Sequence, residues 1–462
     1  MKRLALVAFA AALATLAGCM VGPNYKRPAT AVPPAYRAAT PTSLPSLGNE
    51  KWWQVFRDPV LDKLIHTAIA QNYDVRIAAT RVIEAQAEVG ITRSNEFPSA
   101  SASAGLLSQQ NPKVSKVFPS FEENAGHLNL SVIWDLDFWG KYRRETEAAR
   151  AALLGSEWGQ RGVLASVVSS VAAGYFQLRA LDAELAIAKG TLATRQDSLR
   201  LTQVLEQHGS ASLLDVSQAQ QLVATAAGAI PSLESQIAQQ ENALGILLGQ
   251  NPGPIPRGLA LTSEPEPAQI PLGLPSELLD RRPDILEAEA SLVAANADIG
   301  ALKAALFPDI SLTGTGGLES YALNRLITTP SETWNAALNV TQPIFQAGAL
   351  RAGVRLAQGQ YQQMLLTYQQ TILNAFEQVS NALVAYQKDR EYTAQQMRLV
   401  AATEESDRLS RVLYQQGGAS YLQVLTSETN DFAAKLSLVQ AQFNERLALV
   451  QLYQALGGGW QQ

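Results

Sequence analysis

The segment Leu128-Asn-Leu-Ser-Val-Ile-Trp-Asp-Leu-Asp-Phe138 has a period of two. Leu128, Leu130, Val132, Trp134, Leu136 and Phe138 fall on one side; Asn129, Ser131, Ile133, Asp135 and Asp137 fall on the other. That alternation predicts a strand with one apolar and one polar face. After Gly140 the period changes. Leu164, Val168, Val171, Tyr175 and Leu178 are spaced 4, 3, 4, 3, a coiled-coil signal. No proline occurs from 141 to 208, so the spacing predicts one helix of about 100 Å at 1.5 Å per residue. A compact globular domain has no need of a helix that long.

The same succession occurs twice. Asp74-Val75 matches Asp284-Ile285, the Ala85-Gln-Ala-Glu-Val-Gly90 run matches Ala295-Asn-Ala-Asp-Ile-Gly300, and Phe97-Pro98 matches Phe307-Pro308, all at an offset of 210. From Leu130 and Leu338 onward the offset is 208, and it aligns Gly140 with Gly348, Gly209 with Gly417 and Leu248-Gly249 with Leu456-Gly457. Ile372, Phe376, Val379, Leu383 and Tyr386 repeat the helical spacing of the first copy. In copy one, Val223, Ile230, Ile237 and Leu244 fall seven apart on the return helix, which Pro231 should kink or break. In copy two, Trp334, Ala336, Leu338 and Val340 alternate with Asn335, Ala337, Asn339 and Thr341. Weaker alternation surrounds Ala100, Ala102 and Ala104, and Ile310 and Leu312.

These patterns divide the chain. A first structural repeat covers 59–250: a helix, a β-hairpin at about 98–138, and long helices at about 141–207 and 212–249. A Pro-rich connector, 251–275, leads to a second repeat, 276–457, with a hairpin at about 308–346 and long helices at about 349–416 and 420–456. A short tail, 458–462, follows. The expected class is mainly α with a transmembrane β part. Two hairpins give four strands. Lipid admits only closed barrels, which need about eight strands or more. One chain cannot close. Two chains would give eight strands and a barrel filled by its own side chains; three would give twelve and an open lumen.

The N-terminus carries an address. Lys2 and Arg3 precede an apolar run, Leu4 to Leu16, too short to span a bilayer. It ends in Leu16-Ala-Gly-Cys19, which resembles the lipobox of bacterial lipoproteins. Residues 1–18 read as a lipoprotein signal peptide, and Cys19, the chain's single cysteine, as the lipidation site. Met20 follows it; an aspartate there would commonly retain a lipoprotein in the inner membrane, so its absence favours the outer one. Residues 19–58 carry six prolines and read as an extended tether.

Composition narrows the function. The net charge of −5, with charged residues at only 17%, argues against a nucleic-acid partner. One cysteine excludes a disulfide scaffold, and three histidines far apart in sequence make a metal cluster unexpected. No P-loop, H-E-x-x-H or G-x-S-x-G is present, so the chain offers no catalytic residues and no cofactor site.

Five motifs together resemble one family: Cys19-Met-Val-Gly-Pro-Asn-Tyr-Lys-Arg-Pro28, Asp135-Leu-Asp-Phe-Trp-Gly140, Leu274-Pro-Ser-Glu-Leu-Leu-Asp-Arg-Arg-Pro-Asp284, Ala294-Ala-Asn-Ala-Asp-Ile-Gly300 and Ala455-Leu-Gly-Gly-Gly-Trp460. Over nearly its whole mature length the chain resembles the TolC-like outer-membrane factors of tripartite efflux systems, in their NodT or OprM-like lipoprotein branch. The resemblance implies a homotrimer. A 12-stranded outer-membrane β-barrel would run on into a 12-helix periplasmic α-barrel. It further implies passive export of drugs or other small molecules, a periplasmic membrane-fusion adaptor, and an inner-membrane pump of the resistance–nodulation–division (RND) class. A channel for type I protein secretion and a non-transporting periplasmic coiled-coil scaffold are the competing readings. A scaffold has no use for four amphipathic strands.

The resemblance places adaptor contacts at the helical tips, Gly209-Ser210-Ala211-Ser212 and Gly417-Gly418-Ala419-Ser420. Read from the residues alone, these are αα-turns in which glycine ends one helix and serine caps the next. The family closes this end with aspartates and a leucine constriction. Leu422 matches the leucine; the usual aspartate position reads Thr426. An acidic ring would then come from Asp215, Glu428 or Asp431, unless these are ordinary solvated charges. Arg281, Arg282 and Asp284 read as a structural junction, and His208 as a solvated side chain.

Overall fold

The computed structural model describes residues 20–36, 52–110, 122–261 and 275–458. The signal peptide, Cys19, most of the connector and the last four residues lie outside the described residues. In chain order the elements are α1 (Pro59–Gln71), α2 (Tyr73–Ser94), β1 (Ser99–Gln110), β2 (Glu122–Asp135), α3 (Lys141–Gln207) and α4 (Leu213–Leu247). There follow a short α5 (Leu278–Arg281), α6 (Pro283–Ala304), β3 (Asp309–Ser320), β4 (Glu332–Thr341), α7 (Ala349–Gln415) and α8 (Tyr421–Ala455).

The contacts fall into two compact units. One takes in the chain up to Ala29, Arg81–Glu157 and Glu287–Gln369; the other takes in Thr30–Thr80, Trp158–Leu286 and Gln370–Gln462.

The first unit holds one four-stranded antiparallel sheet in the order β1-β2-β3-β4. The two hairpins are joined by β2 against β3, so strands of different repeats pair directly. Its register sorts the side chains. Ala102 faces Leu130, which faces Gly316, which faces Trp334; Trp134 faces Leu312, which faces Leu338. One residue along, Ser101, Ser131, Thr315 and Asn335 form the opposite row. Since side chains alternate, the middle rows of one face are mostly apolar and those of the other mostly hydroxyl and amide, with Ile133 an apolar exception on the polar side. Strands of 10 to 14 residues suffice to cross a bilayer. The β2 alternation ends sooner than its pattern suggests: Leu136 still donates its N–H to Ile310 O at 2.8 Å, but Asp137 and Phe138 lie in the turn before Gly140.

The second unit holds the coiled-coil core. Val168, Val171, Tyr175 and Leu178 of α3 are fully buried, with Leu233, Ile237 and Leu244 of α4. Val379 and Leu383 of α7 pack in a second cluster with Leu452 and Leu456. Of the expected kink or break at Pro231, the break does not occur; α4 runs through it. The ring crowds the carbonyl of Ala227, and the small residues Ala226 to Ala229 leave room for it to tilt, while Ala226 and Leu233 are buried on either side.

The tether expectation also needs correction. Trp53 and Phe56 lie in a 3-10 turn and are core residues; Phe56 meets Phe176 edge-on at 4.7 Å. Buried Asp58 caps α1 through the N–H groups of Val60 and Leu61 and accepts from the Tyr175 hydroxyl at 2.6 Å. Residues 20–36 lack regular structure, yet they dock on the first unit from Met20 to Arg27 rather than hanging free.

Duplication is recorded in backbone geometry. Gly140, Gly209 and Gly249 have φ of +77°, +76° and +67°; their counterparts Gly348, Gly417 and Gly457 have +84°, +73° and +81°. At each pair the chain enters or leaves a long helix through the left-handed region, where a Cβ is costly. Arg282 seals a further junction: its Nη1 donates to Ala455 O at 2.9 Å, its Nε and Nη2 hold Asp284, and Pro283 starts α6.

Candidate functional site

Both tips are glycine-closed turns. The N–H of Gly209 donates to Glu206 O at 2.8 Å and that of Ser210 to Leu205 O at 2.8 Å; Gly417 and Gly418 repeat this on Tyr414 and Leu413 at 3.0 and 2.8 Å. This is the Schellman arrangement, which satisfies the last carbonyls of α3 and α7. Beyond the glycines the tips diverge. Ser212 and Asp215 form a capping box at the start of α4, whereas Ser420 makes no side-chain cap at α8. Gly209, Ser210, Ser212, Gly417, Gly418 and Ser420 are exposed, and Ala211 and Ala419 half-buried.

Just past the tips stand exposed leucines: Leu213 and Leu214 on α4, and Leu422, 59% exposed, on α8. Between them a small core joins all four long helices: Ala219, Tyr421 and Val424 with Leu199 and Tyr414. Tyr414 and Tyr421 lie 5.4 Å apart.

The sequence-selected polar residues do not converge. Thr426 is exposed and its hydroxyl donates to Leu422 O, one turn back, at 2.8 Å. Asp215 is committed to the N-cap of α4. Asp431 is held by Lys435 at 2.9 Å, which also reaches Glu404 at 3.0 Å. Glu428 turns inward. It is 3% exposed; its Oε1 accepts from Ser198 of α3 at 2.8 Å and from Arg411 of α7 at 3.0 Å. Arg411 also binds Asp407 at 2.9 Å. Burial pushes the Glu428 carboxyl above the usual range, and Arg411 opposes this.

Arg195 completes the group. It is buried, donates to Leu222 O at 3.1 Å and stands over the Phe432 ring. A cavity of about 530 Å³ opens here, lined by Arg195, Asp407, Arg411, Glu428, Asp431 and Lys435. Sequence reasoning missed Arg195, Ser198, Asp407 and Arg411. A signal for part of this exists: in an antiparallel hairpin, residues equidistant from the turn meet. Arg411 with Glu428, and Glu404 with Lys435, are each centred between Ala419 and Ser420.

Among the described residues, no group of three His, Cys, Asp or Glu is arranged to hold a metal ion. His208 is exposed, its Nδ1 2.7 Å from Val204 O.

In the sheet, the apolar face is bare: Leu130, Leu338, Val340 and Trp334 are all exposed, Trp334 by 84%. Among the described residues, the outer edges of β1 and β4 have no strand partner. An exposed apolar face of this kind suits lipid.

Known proteins share this architecture. Cation efflux system protein CusC of Escherichia coli O6:H1 is 36% identical over 461 residues, covering 99% of both chains. Toluene efflux pump outer membrane protein TtgC of Pseudomonas putida is 35% identical, covering 98% of this chain and 96% of that one. Probable outer membrane lipoprotein SilC of Salmonella typhimurium is 33% identical, covering 96% of each. A solved structure of CusC superposes with a TM-score of 0.87 at 33% identity, over 96% of this chain and all of that one. The model of the outer membrane efflux protein family matches residues 64–250 and 274–458, one block in each repeat. The chain belongs to the outer membrane efflux protein family, with the TolC-like fold of its channels.

Proposed function

We propose that this outer-membrane efflux channel works as a homotrimer whose three sheets close one 12-stranded barrel, and that it is the passive exit duct of a tripartite pump. The carrying observation is the sheet: one face apolar and exposed, the other polar, with two unpaired edges. Only edge-to-edge association buries those N–H and C=O groups in lipid. The polar face then becomes the lumen wall. Its middle rows, Ser101 to Asn335, offer hydroxyls and amides without charge, so they hydrogen-bond to passing solutes without trapping them. CusC is named for cations and TtgC for toluene; a neutral wall of this kind suits either, and cargo choice falls to the pump.

The tips are the adaptor-docking site: Gly209 to Ser212 and Gly417 to Ser420 are polar turns held rigidly by their glycine caps. The partners are a periplasmic membrane-fusion protein and an RND-class inner-membrane transporter, which supplies the energy. Leu422 is the resting constriction, three copies meeting near the axis. Thr426 and Asp215 line its approach. Glu428 supports it from behind through the ion pair with Arg411. Cys19 carries the lipid anchor.

Crosslinking and native mass measurement in mild detergent test the assembly. The expected mass is three chains. A stable folded monomer in lipid would refute the shared barrel.

A further inference from the structure

The stretch behind Cys19 makes more bonds than an anchor line requires. Val21 donates its N–H to Trp139 O at 3.0 Å, and Met20 packs on Gly140. Asn296 of α6 donates to Pro23 O at 2.9 Å. Glu289 of α6 accepts from the Tyr25 hydroxyl at 3.1 Å and pairs with Arg27 at 2.9 Å; Arg27 also reaches the Tyr368 hydroxyl of α7 at 3.4 Å. Five residues of this stretch thus tie to α6, to α7 and to the turn before α3.

At the centre is Arg144 of α3, 1% exposed. Its Nε donates to Val21 O at 3.3 Å, its Nη2 to Asn24 Oδ1 at 2.8 Å, and its Nη1 to Glu147 at 2.7 Å. Two of these three partners come from the N-terminal stretch. Glycines make the fit possible. A Cβ on Gly22 would lie 2.4 Å from the Gly300 Cα; one on Gly300 would lie 2.8 Å from the Arg144 Nε. Gly22 also has φ +103°. A buried guanidinium that loses its acceptors is strongly unfavourable.

The internal repeat supplies a control. Gly90, the counterpart of Gly300, has open space where a Cβ would stand. Arg144, Glu289 and Asn296 correspond to Ala352, Ala79 and Gln86. Arg144, Glu289 and Asn296 therefore have no like residue in the other copy.

We propose that residues 20–27 are a structural clamp: by supplying acceptors to buried Arg144 and bonds to Glu289 and Asn296, they lock α3 to α6 beside the foot of the sheet, independently of any lipid on Cys19.

Hydrogen exchange on the full-length protein, processed normally at Cys19, tests this. Asn24→Ala removes an Arg144 acceptor without a clash, and Gly22→Val wedges the stretch away from Gly300. The expected result is roughly tenfold or faster exchange in peptides covering 141–150 and 289–300 in both variants, with the tip peptides unchanged. If the amides of 20–27 exchange faster while 141–150 and 289–300 keep their wild-type rates, the stretch is a passive leash and the proposal fails. Should Gly22→Val not fold, Asn24→Ala decides alone, and an unchanged rate at 141–150 refutes the clamp.

Discussion

The Arg411–Glu428 pair is asymmetric, and replacing its two members should have unequal effects. Glu428 is almost wholly buried, whereas the Arg411 side chain is about a quarter exposed, at 26%. Arg411→Met leaves the Glu428 carboxylate in a poorly solvated place with Ser198 as its remaining close donor and Arg195 as a more distant charge. Removing one partner of a buried pair costs about 3–5 kcal/mol, and partial exposure of Arg411 favours the lower end, about 3 kcal/mol. Glu428→Gln keeps an acceptor for Ser198, abolishes the buried charge, and leaves Arg411 paired with Asp407. Its cost should stay below about 1 kcal/mol.

Local hydrogen exchange in α7 and α8 reads this without needing reversible unfolding of the whole protein. A loss of about 3 kcal/mol corresponds to roughly hundredfold faster opening around 405–430 in Arg411→Met. Acidification supplies the sign. A carboxyl whose folded pKa is raised is stabilised by protonation, so its contribution is fully present below the unfolded value and is lost as pH rises through the folded one. In Arg411→Met the opposing cation is gone, so the shift is larger and mild acid should restore part of the protection. After correction for intrinsic exchange rates, equal effects of Arg411→Met and Glu428→Gln, or a defect that deepens in mild acid, would refute the idea that the unpaired buried carboxylate is the cause.

Two further outcomes are expected. With Leu422 as the proposed constriction of a homotrimer, Leu422→Ala would remove three apolar side chains there, so resting conductance in planar bilayers should rise and cells should become sensitive to vancomycin; Thr426→Ala, which loses only a hydroxyl bonded within its own helix, should do less. Unchanged conductance with an intact trimer would place the gate elsewhere. Mass spectrometry of the mature N-terminal peptide should find Cys19 with a diacylglyceryl thioether and an acylated amine, and a free thiol there would remove the anchor assignment.

The strands were legible because a half-buried sheet forces a period of two, and the register places Leu130 and Ser131 in rows of like character. The helices were legible because Val168, Val171 and Tyr175 must share a seam. Where the sequence misled, a local rule was overruled by packing. Proline forecasts a kink or a break at 231; the helix is not broken, because burial of the flanking residues outweighs one missing hydrogen bond. The proline-rich stretch before 58 hides Trp53 and Phe56, since a short 3-10 turn has no period to detect. Glu428 looked like a solvated or luminal acid because charge at a helical position carries no direction; only the distance from the turn pairs it with Arg411.

The duplication separates scaffold from specialisation. Positions that set backbone direction are the same in both copies: Gly140 and Gly348, Gly209 and Gly417, Gly249 and Gly457. So is the leucine after each tip, Leu214 and Leu422. The charged cluster is not. Counting 208 residues back, Glu428, Arg411 and Asp407 become Gln220, Gln203 and Leu199; counting 208 forward, Arg195 becomes Thr403. One hairpin therefore carries a buried ion pair and a buried tyrosine under its leucine, while the other carries an exposed Lys189–Glu234 pair, a capping box and an exposed leucine pair. Two hairpins with the same backbone and different internal ties do not open at equal cost. If the trimer's tips separate, the α3–α4 hairpin breaks the exposed Lys189–Glu234 pair at 3.2 Å, not a buried one like Arg411–Glu428. The α7–α8 hairpin must either move with Ser198 and Arg195 of α3 or break a buried pair, so its motion and that of α3 are coupled.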